Sequence, residues 1–279
     1  MAARFILVGG GKMGGALLAG WRDAGGIAAG DIVVVEPFED AARALSARHG
    51  VAVVATAGDL GPSLDPALVL FAVKPQVIGD VVGDYRKFTA AGATGGAGPV
   101  FLSIAAGTKI ALFEAALGDG APVVRSMPNT PAAVARGITV ACANGRVGAD
   151  QIALCTRLLE AVGEVAWIDD EGLMDAVTGV SGSGPAYVFL MIESLAAAGV
   201  AAGLAPELAQ KLARATVSGA GELTHRSSDS AEILRRNVTS PGGTTAAALA
   251  VLMAEDGLDA LMERAVAAAT DRSRELAAG

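Results

Sequence analysis

Histidine and cysteine are nearly missing from this chain, which has two of each in 279 residues: His49 and His225, Cys142 and Cys155. No CxxC pair and no Cys/His metal spacing occurs. That argues against a zinc centre or a thiol–histidine catalyst and leaves no candidate metal ligands. Two isolated cysteines give no disulfide framework and fit a reducing, cytoplasmic setting. An excess of positive charge is also missing. The net charge of −8 argues against nucleic acid or an anionic membrane as partner. Basic side chains are absent altogether from residues 158–210. No leader peptide is expected, because a glycine motif already occupies residues 9–14. The most apolar stretch, Pro185 to Ala205, has the length of a membrane span. Glu193 in its middle and Pro185, Gly199, Gly203 and Pro206 near its ends favour a buried helix of a soluble protein.

The chain is long enough for two domains, and its charge divides unevenly. Residues 1–166 carry 13 basic and 14 acidic side chains, residues 167–279 carry 8 and 15, so the second part holds almost all the acidic excess. The expected domains are 1–167 and 168–279.

Arg4-Phe5-Ile6-Leu7-Val8 is a short apolar run suited to a buried parallel strand. Gly9, Gly10, Gly11, Lys12, Met13 and Gly14 follow, and Ala16 to Trp21 reads as a helix. Strand, G-x-G-x-x-G and helix in that order let the backbone approach a pyrophosphate and present free amides to it. A second strand, Asp31–Val35, ends at Glu36, where a carboxylate can accept from a ribose 2′-hydroxyl. Such a carboxylate would repel a 2′-phosphate and so tilts the cofactor toward NADH; the same residue could also be a solvated strand end. Further strands are expected at Val51–Val54, Leu68–Val73, Val100–Ile104 and Pro122–Met127. In an open parallel sheet the ligand crevice lies beyond the strands' carboxyl ends, which here are Ala72-Val73-Lys74-Pro75, Ala105-Ala106-Gly107 and Pro128-Asn129-Thr130-Pro131. Lys74 could meet a phosphate or ribose, or cap a surface loop. Asn129 and Thr130 could face a nicotinamide or simply form a rigid turn. Thr89 to Pro99 reads as a surface loop without function.

After Ile168 the strand signal fades. Asp169 to Val177 reads as a helix entry with acids in its first turn, and Thr178 to Gly184 as a small-residue turn. Helices are expected from Pro185 to about Gly199, from Pro206 to Leu223, and from about Thr244 and Gly257 onward. So acidic and apolar a helical domain, with no sheet of its own, is expected to complete its core with a second subunit. The stretch Asn237-Val238-Thr239-Ser240-Pro241-Gly242-Gly243-Thr244-Thr245 puts glycines and hydroxyls at one helix entrance. Glycines there leave backbone amides free to bind a small carboxylate. Ordinary capping, by Thr244 or Thr245, is the plainer alternative.

V-S-G-S-G-P-A-Y (180–187) together with N-V-T-S-P-G-G-T-T (237–245) resembles the signature of pyrroline-5-carboxylate reductases. G-G-G-K-M-G, A-V-K-P (72–75), S-I-A-A-G (103–107) and R-S-M-P-N-T-P (125–131) match the same family in the same order, so the resemblance spans the chain. It implies a Rossmann-type parallel-sheet domain followed by an all-helical dimerisation domain. The implied activity is reduction of 1-pyrroline-5-carboxylate to L-proline with NADPH or NADH. It also implies a site at a dimer interface and, in many members, decamers. Carried over, Gly9 to Gly14 would hold the pyrophosphate, Ala72, Val73, Lys74, Pro75, Ala105 and Ala106 would edge the cofactor, and Asn237 would touch both ligands. Val238, Ser240, Gly242, Gly243, Thr244 and Thr245 would seat the substrate, with Glu171 and Thr178 nearby. Thr245 is the candidate for the hydrogen bond to the ring nitrogen. Glu36 departs from the family's NADP-using pattern. A β-hydroxyacid dehydrogenase shares the two-domain plan, but its usual helix lysine has no counterpart in residues 158–210.

Overall fold

Phe5, Ile6, Leu7 and Val8 are all buried, as a strand covered on both faces requires. In the computed structural model, which describes residues 3–61, 64–89 and 98–278, they form β1 (Phe5–Val8). The other strands are β2 (Ile32–Val35), β3 (Ala52–Val54), β4 (Leu68–Phe71), β5 (Val100–Ser103), β6 (Val123–Met127), β7 (Gly137–Ala143) and β8 (Gly163–Trp167). They lie in the order β3-β2-β1-β4-β5-β6-β7-β8. The first six run parallel, which is the Rossmann arrangement. β7 is antiparallel to β6, with Met127 opposite Val140, and β8 then runs parallel to β7. These last two strands are additions to the expected sheet.

Five helices cross between the strands: α1 (Lys12–Asp23), α2 (Glu39–His49), α3 (Pro75–Val82), α4 (Ile110–Leu117) and α5 (Ala149–Glu160). Alternation along each strand divides the core between the two faces. Phe5 and Leu7 pack with Leu17, Trp21, Leu45 and Leu158, from α1, α2 and α5. Ile6 and Val8 pack with Ile78, Val82 and Phe113, from α3 and α4. The buried Trp21 donates its indole N–H to the Leu158 carbonyl at 2.8 Å, so its one polar atom is satisfied. Residues 90–97 of the expected surface loop lie outside the described residues.

The described chain separates into two compact units, 1–182 with 270–279, and 183–269. The first unit therefore takes in α6 (Met174–Val177), where Met174 is fully buried in the same core cluster as residues of α3 and α4, and the turn that follows it. That turn, Thr178–Gly182, is π-helical rather than a loop. The first unit also takes the end of α11 (Leu258–Ala278), where the Ser273 hydroxyl donates to Asp175 Oδ1 at 2.6 Å.

The second unit contains α7 (Gly184–Ala201), α8 (Pro206–Arg226), α9 (Ala231–Asn237), α10 (Thr244–Leu252) and the start of α11. α7 packs on α8, and Gly199 permits the close approach: a Cβ there would lie 3.2 Å from the Ala209 methyl. The expected burial of the apolar stretch is not met within one chain. No residue of α7 is buried; Phe189 is 58% and Leu190 60% exposed. By length and composition alone, helical residues Glu171–Ala201 match a membrane span. The apolar surface of this unit needs a cover that one chain does not supply.

Candidate active site

The glycines of residues 9–14 meet three different physical demands. Gly9 has φ +93°, and a Cβ on it would lie 2.9 Å from Val73 Cγ1. A Cβ on Gly14 would lie 2.3 Å from the Gly9 carbonyl oxygen, so α1 can pack on β1 only if this position is bare. Gly11 is the N-cap of α1, has open space beside it, and is not assisted by any side-chain cap. Turn, close helix packing and an open row of amides are the requirements of a pyrophosphate cradle, so the loop fits a dinucleotide. Lys12 is exposed beside it, and Met13 tucks against the core.

Glu36 is not a solvated strand end. It is 6% exposed; Oε2 accepts the Gly10 amide at 2.9 Å, and Oε1 accepts the Phe38 amide at 3.2 Å. It therefore braces the glycine loop from the end of β2. At the end of β4, Ala72 and Val73 lie beside Gly9 and Gly14, and exposed Lys74 is the N-cap of α3 with Pro75 in its first turn. At the end of β5, Ala105 is buried and Ala106 exposed.

Asn129 is 8% exposed, and its carboxamide is used at both ends. Nδ2 donates to the Ser181 carbonyl at 3.2 Å, and Oδ1 accepts the Ile138 amide at 3.0 Å. It thus ties the β6–β7 turn to the π-helical turn. Glu171 is likewise engaged: Oε1 accepts from Arg125 Nη1 at 2.8 Å and from the Ile110 amide at 2.9 Å. The Thr178 hydroxyl donates to the Met174 carbonyl at 2.9 Å, back into α6. Arg125 had no assigned role in the sequence. A lone arginine inside an apolar strand is the signal that was available, since a buried guanidinium needs a carboxylate.

The helix entrance of the second unit is built on its own terms. α9 ends at exposed Asn237, and Val238 is 67% exposed. The Thr239 hydroxyl donates to the Arg235 carbonyl at 2.7 Å. Gly242 adopts φ +67°, and Gly243 is the N-cap of α10. Two expectations change here. The Gly243 amide is spent on the Ser240 carbonyl at 3.0 Å, and neither Thr244 nor Thr245 caps the helix. The amides left at the head of α10 are those of Thr244, Thr245 and Ala246, with the Thr245 side chain half-buried and Thr244 exposed. Helix-head amides of this kind attract a carboxylate.

A Rossmann-type sheet with such a loop, on a chain that also carries a helical unit, defines a nicotinamide-dinucleotide oxidoreductase. The comparisons with known proteins carry this further. Residues 171–276 match the family described as pyrroline-5-carboxylate reductase dimerisation, and residues 4–94 match NADP oxidoreductase coenzyme F420-dependent. The pyrroline-5-carboxylate reductase of Mycobacterium tuberculosis is 41% identical, with 98% of this chain and 97% of that protein covered. A solved pyrroline-5-carboxylate reductase from Coxiella burnetii superposes with a TM-score of 0.90 at 33% identity, covering 99% of both chains. A pyrroline carboxylate reductase from Plasmodium falciparum, solved with NADP bound, has a TM-score of 0.78 at 29% identity, covering 99% of this chain and 98% of that one. The chain belongs to the pyrroline-5-carboxylate reductase family. It is an NAD(P)H-dependent enzyme that self-associates.

Proposed function

We propose that the head of α10 is the substrate seat of this enzyme, which reduces 1-pyrroline-5-carboxylate to L-proline in the last step of proline biosynthesis. The Thr244 and Thr245 amides take the carboxylate, and the Thr245 hydroxyl takes the ring nitrogen. Asn237, Val238, Ser240 and Gly242 shape the turn leading into it. The observation that carries this reading is the uncapped start of α10 directly after Gly242 at φ +67°.

NAD(P)H would be held by the loop Gly9 to Gly14 through the amides at the head of α1, since those of Gly9 and Gly10 already serve the Val35 carbonyl and Glu36. It would be edged by Ala72–Pro75, Ala105 and Ala106, and would supply a hydride to C5 of the imine. The electron pair of the C=N bond ends on nitrogen, which carries a proton in the product. A protonated imine is already electrophilic, so the chain needs no strong acid, and the scarcity of histidine is no handicap. Its work is to orient the ring, which is worth several kcal/mol when the reacting atoms are well placed. The Thr245 hydroxyl can hold the nitrogen or pass on its proton.

Residues 1–167 serve the cofactor in this reading, and 168–279 serve the substrate and self-association. The assembling unit is a dimer that covers the apolar faces of α7 and α8, with decamers as the higher form. The setting is cytoplasmic, and neither nucleic acid nor membrane is a partner. Replacing Thr245 by Ala tests the site. A lost hydrogen bond to a charged group is worth about 1.5–3 kcal/mol, so kcat/KM falls by about tenfold or more. An unchanged kcat/KM removes Thr245 from the mechanism.

A further inference from the structure

We propose that the turn between β2 and α2 makes this enzyme select NADH over NADPH, with Glu36 as the discriminating residue and the charge of Arg43 outweighed by its carboxylate neighbours. The proposal rests on the assignment of residues 9–14 to the dinucleotide. It names which dinucleotide that loop serves.

In this fold the adenosine ribose lies beyond the carboxyl end of the second strand, where an acidic residue accepts from its 2′-hydroxyl. Glu36 stands at that position and is held there rather than free to swing away. Its two oxygens are anchored by the Gly10 amide at 2.9 Å and the Phe38 amide at 3.2 Å. Each carboxylate oxygen offers two acceptor sites, so both retain one for a ribose hydroxyl. At 6% exposure the charge is poorly screened by water and salt. A phosphate dianion in place of the hydroxyl would meet a fixed like charge and offer the carboxylate no proton.

The surroundings do not offset that repulsion. The first turn of α2 adds Glu39 and Asp40. The cation of the same stretch, Arg43, is spent on these two, with Nη1 3.0 Å from Glu39 Oε1 and Nη2 2.6 Å from Asp40 Oδ1. Both pairs are exposed and individually weak, so Arg43 can turn away from them. Turning does not change the sum, because three carboxylates face one guanidinium across residues 36–43. The amides at the head of α2 would favour a phosphate, but Glu39 and Asp40 already complement that end of the helix dipole. Lys12 lies on the pyrophosphate loop itself, and Arg48 lies in the last turn of α2. Charge and anchoring together make the turn accept a hydroxyl and refuse a phosphate.

The test is calorimetric and needs no turnover: titration of the full chain with ADP-ribose and with 2′-phospho-ADP-ribose. The unsubstituted protein is expected to bind ADP-ribose at least about tenfold tighter, since like-charge juxtaposition at a binding surface is strongly unfavourable. Glu36→Gln keeps an acceptor and removes the charge, and it should shrink that ratio severalfold. Because Glu36 also braces the loop, a second variant leaves it untouched: Glu39→Gln with Asp40→Asn releases Arg43 at the surface. That variant should tighten 2′-phospho-ADP-ribose while leaving ADP-ribose unchanged. Equal affinity of the unsubstituted protein for the two fragments, or a ratio that neither variant moves, overturns the proposal. Failure of both fragments to bind instead overturns the assignment of the glycine loop, and the selectivity reading with it.

Discussion

Arg125, buried in β6, reaches Glu171 across 46 residues of chain, with Nη1 2.8 Å from Oε1. The same oxygen accepts the Ile110 amide, so one carboxylate holds β6, the head of α4 and the turn leading into α6. Family resemblance puts Glu171 near the substrate, whereas its contacts are those of a strut. Glu171→Ala separates the two roles. It leaves a guanidinium at 6% side-chain exposure without its partner. Breaking a buried pair costs about 3 kcal/mol, visible as a lower midpoint in urea. A strut leaves KM for the imine within about twofold in the folded fraction; a rise near tenfold, the loss of one contact of about 1.4 kcal/mol, gives Glu171 to the substrate.

Gly14→Ala addresses the cofactor loop. The new methyl would sit 2.3 Å from the Gly9 carbonyl oxygen, and that neighbour is backbone and cannot swing aside. The loop must deform, and the affinity for reduced dinucleotide, read from nicotinamide fluorescence, falls by at least about tenfold. Gly79→Ala is the control, since that exposed α3 position has open space beside it and no part in the loop. A Gly14→Ala enzyme with unchanged affinity would show that the loop is not the pyrophosphate cradle.

The two cysteines give a prediction about reactivity. Cys155 is fully buried, and desolvation pushes its thiol up to about 12. Cys142 is raised as well, first by burial and then by the charge of Glu171. The thiolate is the reactive form. Neither cysteine should react with a chromogenic disulfide reagent at pH 8 until denaturant is added, when two thiols per chain should titrate. A thiol that reacts at once in the folded enzyme contradicts the packing described around β7 and α5.

Six strands and the glycine loop were legible because buried parallel strands read as unbroken apolar runs and the turn glycines follow at fixed spacing. β7 and β8 were not. G-I-T-V-A-C-A mixes small and polar residues, and its pairing with β6 is a long-range contact. G-E-V-A-W is short and nowhere buried. The second partners of Glu36, Asn129 and Glu171 were invisible for the same reason, because side chains that bridge distant elements leave no periodic trace. The exposure within one chain was expected of the helical domain as a whole, which was read as needing a second subunit. It could not be assigned to α7 in particular, because an apolar helix looks alike whether its cover belongs to its own chain or to another. Where helices start was easier to read, as at Pro206 and Thr244, because start signals are local.

The substrate seat at the head of α10 is tested most directly by a crystal structure of the enzyme with oxidised dinucleotide and L-proline. The account predicts proline carboxylate oxygens at about 2.7–3.2 Å from the Thr244 and Thr245 amide nitrogens, with the ring nitrogen in reach of the Thr245 hydroxyl. A proline carboxylate bound anywhere else, with those amides facing only water, would contradict it.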